Sequence, residues 1–454
     1  MVPPAGWASL LATVYGSLVP EACVGAQFRR TGEHHSISTP IWIRSRAHLR
    51  WTGNSACPPQ GVDLHMLSAA PSDDDGVAQL QPAHDDDDDD VPHDDATGRV
   101  RYTSVTCTNP STFSQAYKLR VMDAAPADSR GVETLIVITL YNEKLADLNE
   151  TLDGICDNIA ADCLKNDDPE AWRRWAVCII ADGRLKLHTS IAEQMELCDL
   201  SDAALALGMA QPDAAPIRLH LYESTQSRVR EYTEPTEKTV RFNLQVVMAI
   251  KEENAGKLDS HRWFFNAFAG SIRPEYCVML DVGTKPGPRS LMKLRNTLKT
   301  DPKVAGCCGQ LEIDESKVDR TNLLHAAQQF EYQLANLMDK SMESTFGFIS
   351  VLPGAFSAYR YSALRVRCVR HQAEDGSGDD ALQVYFSSIS KPLGPRNNSK
   401  ALGPLKGNMF LAEDRVLVFE LLATGGREFF LRYVSSAAAY TDPVNSLEGL
   451  LKQR

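Results

Sequence analysis

The chain has no Cys-x-x-Cys pair among its eleven cysteines, so a zinc ribbon or dithiol redox motif is excluded. Several cysteines lie inside apolar runs, such as Cys178 in WAVCIIAD and Cys277 in YCVMLD, and read as buried reduced thiols of a cytosolic compartment. The vicinal Cys307-Cys308 pair reads as core packing. No run reaches the roughly 18 apolar residues that a membrane span needs. The apolar patch WASLLATVYGSLVPEAC near the start has no basic residue before it, which argues against a secretory signal. On a cytosolic face the sequons at Asn149 and Asn397 carry no weight. Basic residues are not in excess either. Lys and Arg number 47 against 59 Asp and Glu, a net charge of −12, so nucleic acid is excluded as a main partner. What remains is a chain of globular composition, 43% hydrophobic and 23% charged, whose 454 residues suggest about three domains.

The negative charge is concentrated. Eleven Asp and no Lys or Arg fall between Ser72 and Asp95, including the block Asp85–Asp90, and without them 47 basic residues face 48 acidic ones. Like charges packed this densely repel and bury little apolar area. Residues 1–99, which also carry Pro-Pro and Ser-Thr-Pro, are therefore expected to form a disordered acidic region, a solvated linker rather than a cation site.

From Val132 onward apolar strands alternate with helical patterns. Thr134–Leu140 (TLIVITL) is a β-branched run of the kind buried in a parallel sheet. Leu145, Leu148, Leu152, Ile155 and Ile159 share one helical face. Trp175–Ile180 and Cys277–Leu280 read as further buried strands, and Ile217–Tyr222 alternates. Leu244–Ile250 fits a strand or a buried helix. Helices are expected over Asn322–Met338 and Arg415–Leu422, and a strand over Phe346–Leu352. No internal repeat is visible. This alternation specifies an α/β layer fold, its sheet mainly parallel and flanked by helices.

Ligands of such sheets sit beyond the carboxyl ends of the strands. Three polar signatures fall there: Tyr141-Asn142-Glu143, Asp182-Gly183-Arg184 and Asp281-Val282-Gly283-Thr284. One Asp-Gly after a strand is a turn. A carboxylate at three strand mouths suits a phosphate-bearing ligand held through a divalent cation, because Mg²⁺ takes one or two carboxylates plus substrate phosphates.

The ordered blocks ETLIVITLYNE, ADGR, SHRWFFNAF, LDVGTKPG, QQFEYQLANLMDK, FGFISVLPGAFSAYR and LAEDR resemble the fungal chitin synthases. The resemblance runs from about Arg101, in RYTSVTCTNP, to Arg454. It implies a nucleotide-diphospho-sugar transferase (GT-A-like) fold, with an N-terminal segment at 100–130 and a glycosyltransferase domain at 131–454. It further implies inverting transfer of N-acetylglucosamine from UDP-N-acetylglucosamine to a growing β-1,4 chitin chain, for cell wall and septum.

Residue by residue, the resemblance assigns Tyr141, Asn142, Glu143 and Asp182 to uridine and ribose, and Lys257 and Gly283 to the nucleotide end. It assigns Asp281 to a Mg²⁺ or Mn²⁺ ion on the diphosphate, and Asp414 of Glu413-Asp414-Arg415 to the catalytic base. Gln453 and Arg454 match the first residues of the Gln-Arg-Arg-Arg-Trp motif beside the acceptor sugar. The family places membrane-spanning helices after that motif. The chain is thus expected to be a truncated member that binds donor and makes no polymer, from an enzyme of the plasma membrane with a cytoplasmic catalytic domain, for which a homodimer is admitted. Two departures stand out: Ala181 replaces a Ser before Asp182, and Gln310 replaces a Glu, which would alter donor handling if that Glu touches sugar or metal. The competing readings are a synthase of another β-glycan, a catalytically impaired protein that only binds UDP-sugar, and, weakest, an interaction module built on the acidic region.

Overall fold

The computed structural model describes residues 100–122, 131–165, 167–194, 216–232, 238–319, 321–366, 380–389, 412–425 and 428–453. The acidic region 1–99 and residues 123–130 lie outside them.

Among the described residues ten strands make up one sheet: β1 (Arg101–Val105), β2 (Thr134–Leu140), β3 (Trp175–Ala181), β4 (Leu219–Tyr232), β5 (Lys238–Lys251), β6 (Tyr276–Asp281), β7 (Lys285–Pro286), β8 (Val304–Ile313), β9 (Phe356–Arg360) and β10 (Phe430–Thr441). Their order is β1-β4-β5-β3-β2-β6-β9-β8-β10-β7. The central strands β5, β3, β2 and β6 run parallel, as do β8 and β10. Strand β9 is antiparallel to both of its neighbours. The sheet is therefore mixed, with a parallel block where the carboxylate-bearing strand ends lie.

Side chains of β2 and β3 alternate between two cores, as a period of two requires. Ile136, Ile138, Val177 and Ile179 face one, where Leu148, Leu152, Ile155 and Ile159 of helix α1 (Leu145–Lys165) pack. Leu135, Val137, Cys178 and Ile180 face the other, against Trp263, Phe264 and Phe268. Those aromatics belong to α2, a helix over 257–272 whose middle turn, Trp263–Phe268, is a π-helix. Phe113 of the N-terminal segment packs edge-on against Phe268, with ring centroids 5.5 Å apart. Helix α3 (Ser290–Thr300) joins the first core. The second core takes Leu382 and Tyr385 of α5 (Ala381–Ile389) and Leu417, Val418 and Leu421 of α6 (Glu413–Gly425). Between α3 and α5 in sequence, α4 spans 323–345, and α7 (Leu447–Gln453) follows β10.

Leu244–Ile250 is a strand, the buried half of β5, which forms a long hairpin with β4. The expected strand over Phe346–Leu352 does not form. Gly347 (φ 74°) turns the chain back onto α4, with its N–H on the Ser344 carbonyl. The Glu343 side chain accepts the Ser350 N–H at 2.9 Å. Ile349 and Leu352 are buried as plugs beside the sheet, so hydrophobicity alone mimicked a strand. Cys307 and Cys308 are free thiols that point into opposite cores, as consecutive strand residues must.

A buried ion pair locks α1 to α3. Arg295 grips the fully buried Asp162 with two hydrogen bonds of 2.8 and 2.9 Å, and the Trp175 indole N–H donates to the same carboxylate. The Arg295 guanidinium also lies over the Trp175 ring. Arg295→Met leaves the Asp162 charge short of its main partner, so the variant should lose about 3 kcal/mol of unfolding free energy in urea titration.

Candidate active site

Pairing of β3, β2 and β6 in parallel register brings Leu140 beside Ala181 and Thr139 beside Asp281. The turns that follow therefore leave the sheet at one edge and together wall a cleft of about 520 Å³. Tyr141, Glu143, Asp182, Lys257 and Asp281 line it, with Tyr332 of α4 on the other wall. Five residues singled out in the sequence thus meet in one cavity.

Asp182 serves the architecture of this cleft directly. Its carboxylate accepts the N–H groups of Ala255 and Gly256 at 3.0 and 2.9 Å. Lys251, almost fully buried, donates to the same carboxylate at 2.7 Å and to Asp259 at 3.0 Å. Gly183 adopts φ +98°, and a Cβ there would lie 3.1 Å from Asn254. The turns 182–186 and 252–256 are consequently clamped against each other, and the second turn delivers Lys257 at the start of α2. Lys251 is a residue that sequence reasoning missed.

The Lys257 ammonium bridges the two oxygens of Asp281, at 2.9 and 3.1 Å, and lies 3.9 Å from Glu413. Thr139 donates its hydroxyl to Asp281 at 3.1 Å. Burial tends to lower the Lys257 pKa, but Asp281, Asp414 and Glu413 outweigh it and raise it. Burial likewise tends to raise Asp281, yet Lys257 outweighs it and holds the carboxyl below its ordinary range.

Asp414 stands in the first turn of α6, held by the Gly354 N–H at 2.9 Å. Burial, only partly offset by Lys257 and that N–H, pushes its carboxyl above the ordinary aspartate range. Its neighbour Glu413 is pushed to about 7 by burial and by the Asp414 charge. Glu413 was legible only as a letter of LAEDR, and its titration near neutrality is set by the fold. Gly354 was missed as well. A Cβ there would lie 2.9 Å from an Asp414 oxygen and 3.3 Å from the Lys257 ammonium, so a side chain at 354 would have to push one of these two charged groups aside.

Asp281 can hold a divalent cation only in company. Among the described residues no group of three His, Cys, Asp or Glu could enclose a metal ion. A single carboxylate ligand such as Asp281 fits an ion whose remaining ligands come from a diphosphate and water. The Lys257 ammonium already supplies positive charge at that carboxylate.

Other expected residues sit differently. Asn142 is exposed on the turn after β2 and does not line the cleft. Gly283 (φ +84°) donates its N–H to Thr151 at 3.0 Å, which shapes the turn after β6 without lining the cavity. Gln310 donates its amide to the Ser435 carbonyl across the irregular pairing of β8 with β10. A carboxylate there would have no proton to donate, and Leu311, not Gln310, faces the cleft. Gln453 closes α7, while its side chain and Arg454 lie outside the described residues.

Residues 134–454 match the family model of the chitin synthase-like glycosyltransferase domain. Chitin synthase 1 of Phytophthora sojae is 38% identical over 371 residues, covering 78% of this chain and 37% of that protein. Chitin synthase 2 of Rhizopus oligosporus is 35% identical over 364 residues, covering 78% and 40%. The chain spans about two fifths of the length of these curated relatives. Among solved structures, a mannosyltransferase from Pyrobaculum calidifontis in complex with GDP-Man and Mn²⁺ aligns at 13% identity and a TM-score of 0.34, over 75% of this chain and 65% of that one. GalNAc-T7 with UDP, GalNAc and Mn²⁺ aligns at 9% identity and a TM-score of 0.35, over 70% and 44%.

Proposed function

Because the chain belongs to the chitin synthase-like glycosyltransferase family, we propose that its cleft binds UDP-N-acetylglucosamine and transfers the sugar, with inversion, to the 4-hydroxyl of a β-1,4 chitin chain. The observation that carries this reading is the Lys257 ammonium set between Asp281 on one side and the Glu413-Asp414 pair on the other. A donor diphosphate at the strand ends meets positive charge there, and a base stands within the same charge cluster. Asp414 takes the proton of the acceptor hydroxyl as its oxygen forms the bond to the anomeric carbon. The bond from that carbon to the diphosphate breaks on the opposite face, and UDP leaves with the electron pair. A carboxyl raised by burial is a stronger base than an ordinary aspartate and suits this role. Lys257 offsets charge that grows on the leaving diphosphate. Tyr141, Glu143 and Asp182 hold the nucleoside end, and Asp281 is the residue that would hold Mg²⁺ or Mn²⁺. Such an ion would neutralise diphosphate charge as UDP departs.

A link to the membrane, specifically the plasma membrane with the cleft on the cytoplasmic side, belongs to the same proposal, as does a homodimer. No helix among the described residues is long and apolar enough to cross a membrane. Support for the link comes from α4, which exposes Phe330, Leu337 and Met342, each more than 60% accessible, with Phe346 just beyond it at 81%. An apolar stripe of this size marks an interaction face.

Calorimetric titration tests the donor reading. UDP should bind the chain in Mg²⁺ or Mn²⁺ with GDP much weaker, and chelation by EDTA should weaken UDP about tenfold, near 1.4 kcal/mol. Equal UDP affinity with and without EDTA would remove the metal role of Asp281, and absence of UDP binding would remove the donor reading itself.

A further inference from the structure

Strand β1 lies outside the residues matched by the family model, yet it is built into the sheet edge and joined to the donor cleft by side chains. The Tyr102 hydroxyl meets His220 Nδ1 at 3.0 Å, and His220 Nε2 meets Glu252 at 2.9 Å. The Glu252 carboxylate in turn accepts both Nε and a terminal nitrogen of Arg184, at 3.0 and 3.2 Å. Four elements take part: β1, β4, the turn after β5 and the turn after β3. His220 is only 1% exposed. A neutral imidazole satisfies both partners in a single tautomer, with its proton on Nε2 given to Glu252 and its bare Nδ1 accepting from the tyrosine. In that tautomer the hydrogen bonds run from hydroxyl to imidazole to carboxylate, with the guanidinium closing the chain from the other end. Tyr102 is fitted for that end, since burial and the Glu252 charge keep its hydroxyl protonated up to about 12.

The position of this relay matters. Arg184 and Glu252 belong to the two turns that Asp182 also clamps, and those turns carry Asp182, Asn254 and the entry to Lys257. We infer that Tyr102 and His220 are positioning residues for donor binding: through Glu252 and Arg184 they fix the distance between the turns that form the nucleoside wall of the cleft. This places part of the donor site's control in a strand upstream of the matched catalytic domain. The inference rests on the donor reading above.

A control lies on the same strand. Arg101 of β1 forms its own ion pair with the buried Glu223 directly across in β4, and Glu223 also accepts the Arg120 N–H. That tie holds the edge without reaching either turn. Tyr102→Phe, which removes only the hydroxyl, should raise the Kd for UDP about tenfold, as loss of one buried hydrogen bond that orders a site can. In donor turnover the same change should appear in KM, with kcat for UDP release unchanged. Glu223→Gln should lower the melting temperature while leaving the Kd for UDP within a factor of about two, as expected for a site with no shared partner. An unchanged Kd in Tyr102→Phe, or equal weakening in both variants, would overturn the inference and leave β1 a merely structural edge. Absence of UDP binding by the unaltered chain would instead overturn the donor reading, and this inference with it.

Discussion

Asp414→Asn is expected to slow UDP release from UDP-N-acetylglucosamine by about 10² to 10⁴-fold, the usual range for removal of a positioned general base. The amide keeps an oxygen for the Gly354 N–H, so the packing of α6 is retained and only the proton acceptor is lost. Affinity for UDP should stay nearly constant, because the base acts on the acceptor in the transition state and not on the bound nucleotide. The pH profile supplies a second readout. A base must be deprotonated to act, so kcat/KM rises with pH and levels off once the carboxyl has ionised. Burial raises Asp414, so that limb lies above the range of an ordinary aspartate. Glu413, pushed to about 7, stands next to it, and the two adjacent acids titrate as a pair. The limb should vanish or move in Asp414→Asn. A variant that retains full turnover would show that another group takes the proton.

The second large effect requires no change to any charged residue. Gly354→Ala should lower kcat by about 10²-fold, since a displacement near 1 Å at the reacting groups costs that much. The new methyl would lie 2.9 Å from an Asp414 oxygen and 3.3 Å from the Lys257 ammonium. The closest neighbour is the Asp414 carboxylate, a side-chain end, so the methyl is accommodated by turning that carboxylate from its place. Global stability should hardly change, because the intrusion falls on side-chain ends at a cleft rather than on packed backbone. Unaltered kcat in a folded Gly354→Ala protein would mean that the carboxylate position is not critical.

The layered fold was legible because its central strands are short continuous apolar runs. TLIVITL and WAVCII are buried on both faces of a parallel block, and such strands carry that pattern in any context. The carboxylates at their ends were legible for the same reason, since register is local once the strands are known. Phe346–Leu352 misled because the exposed Phe346 and Phe348 followed by the buried Ile349 and Leu352 make an apolar run like that of a strand. Leu244–Ile250 could not be assigned without its hairpin partner, which supplies the backbone hydrogen bonds that decide between strand and helix. Lys257 came from resemblance alone. Its pairing with Asp281, the clamp of Lys251 on Asp182, the room at Gly354 and the relay from Tyr102 each join residues distant in the chain. No periodicity encodes such meetings.

The order of the strands along the chain also divides the cleft into an early and a late part. Strands β2, β3, β5 and β6 are contiguous in the sheet and fall early in the chain, and Asp182, Lys257 and Asp281 are complete with them. Strand β10 pairs with β8 only after the chain has passed through β9, α5 and α6, so Asp414 belongs to a long excursion whose closure is entropically costly. During synthesis, where N-terminal segments emerge first, the strands that carry Asp182, Lys257 and Asp281 emerge before Asp414 does. Lys257 then waits beside Asp281 for two further carboxylates, and their arrival couples closure of the last parallel pairing to completion of the charge cluster. Recovery of donor binding should accordingly precede recovery of turnover when the unfolded chain is returned to native conditions.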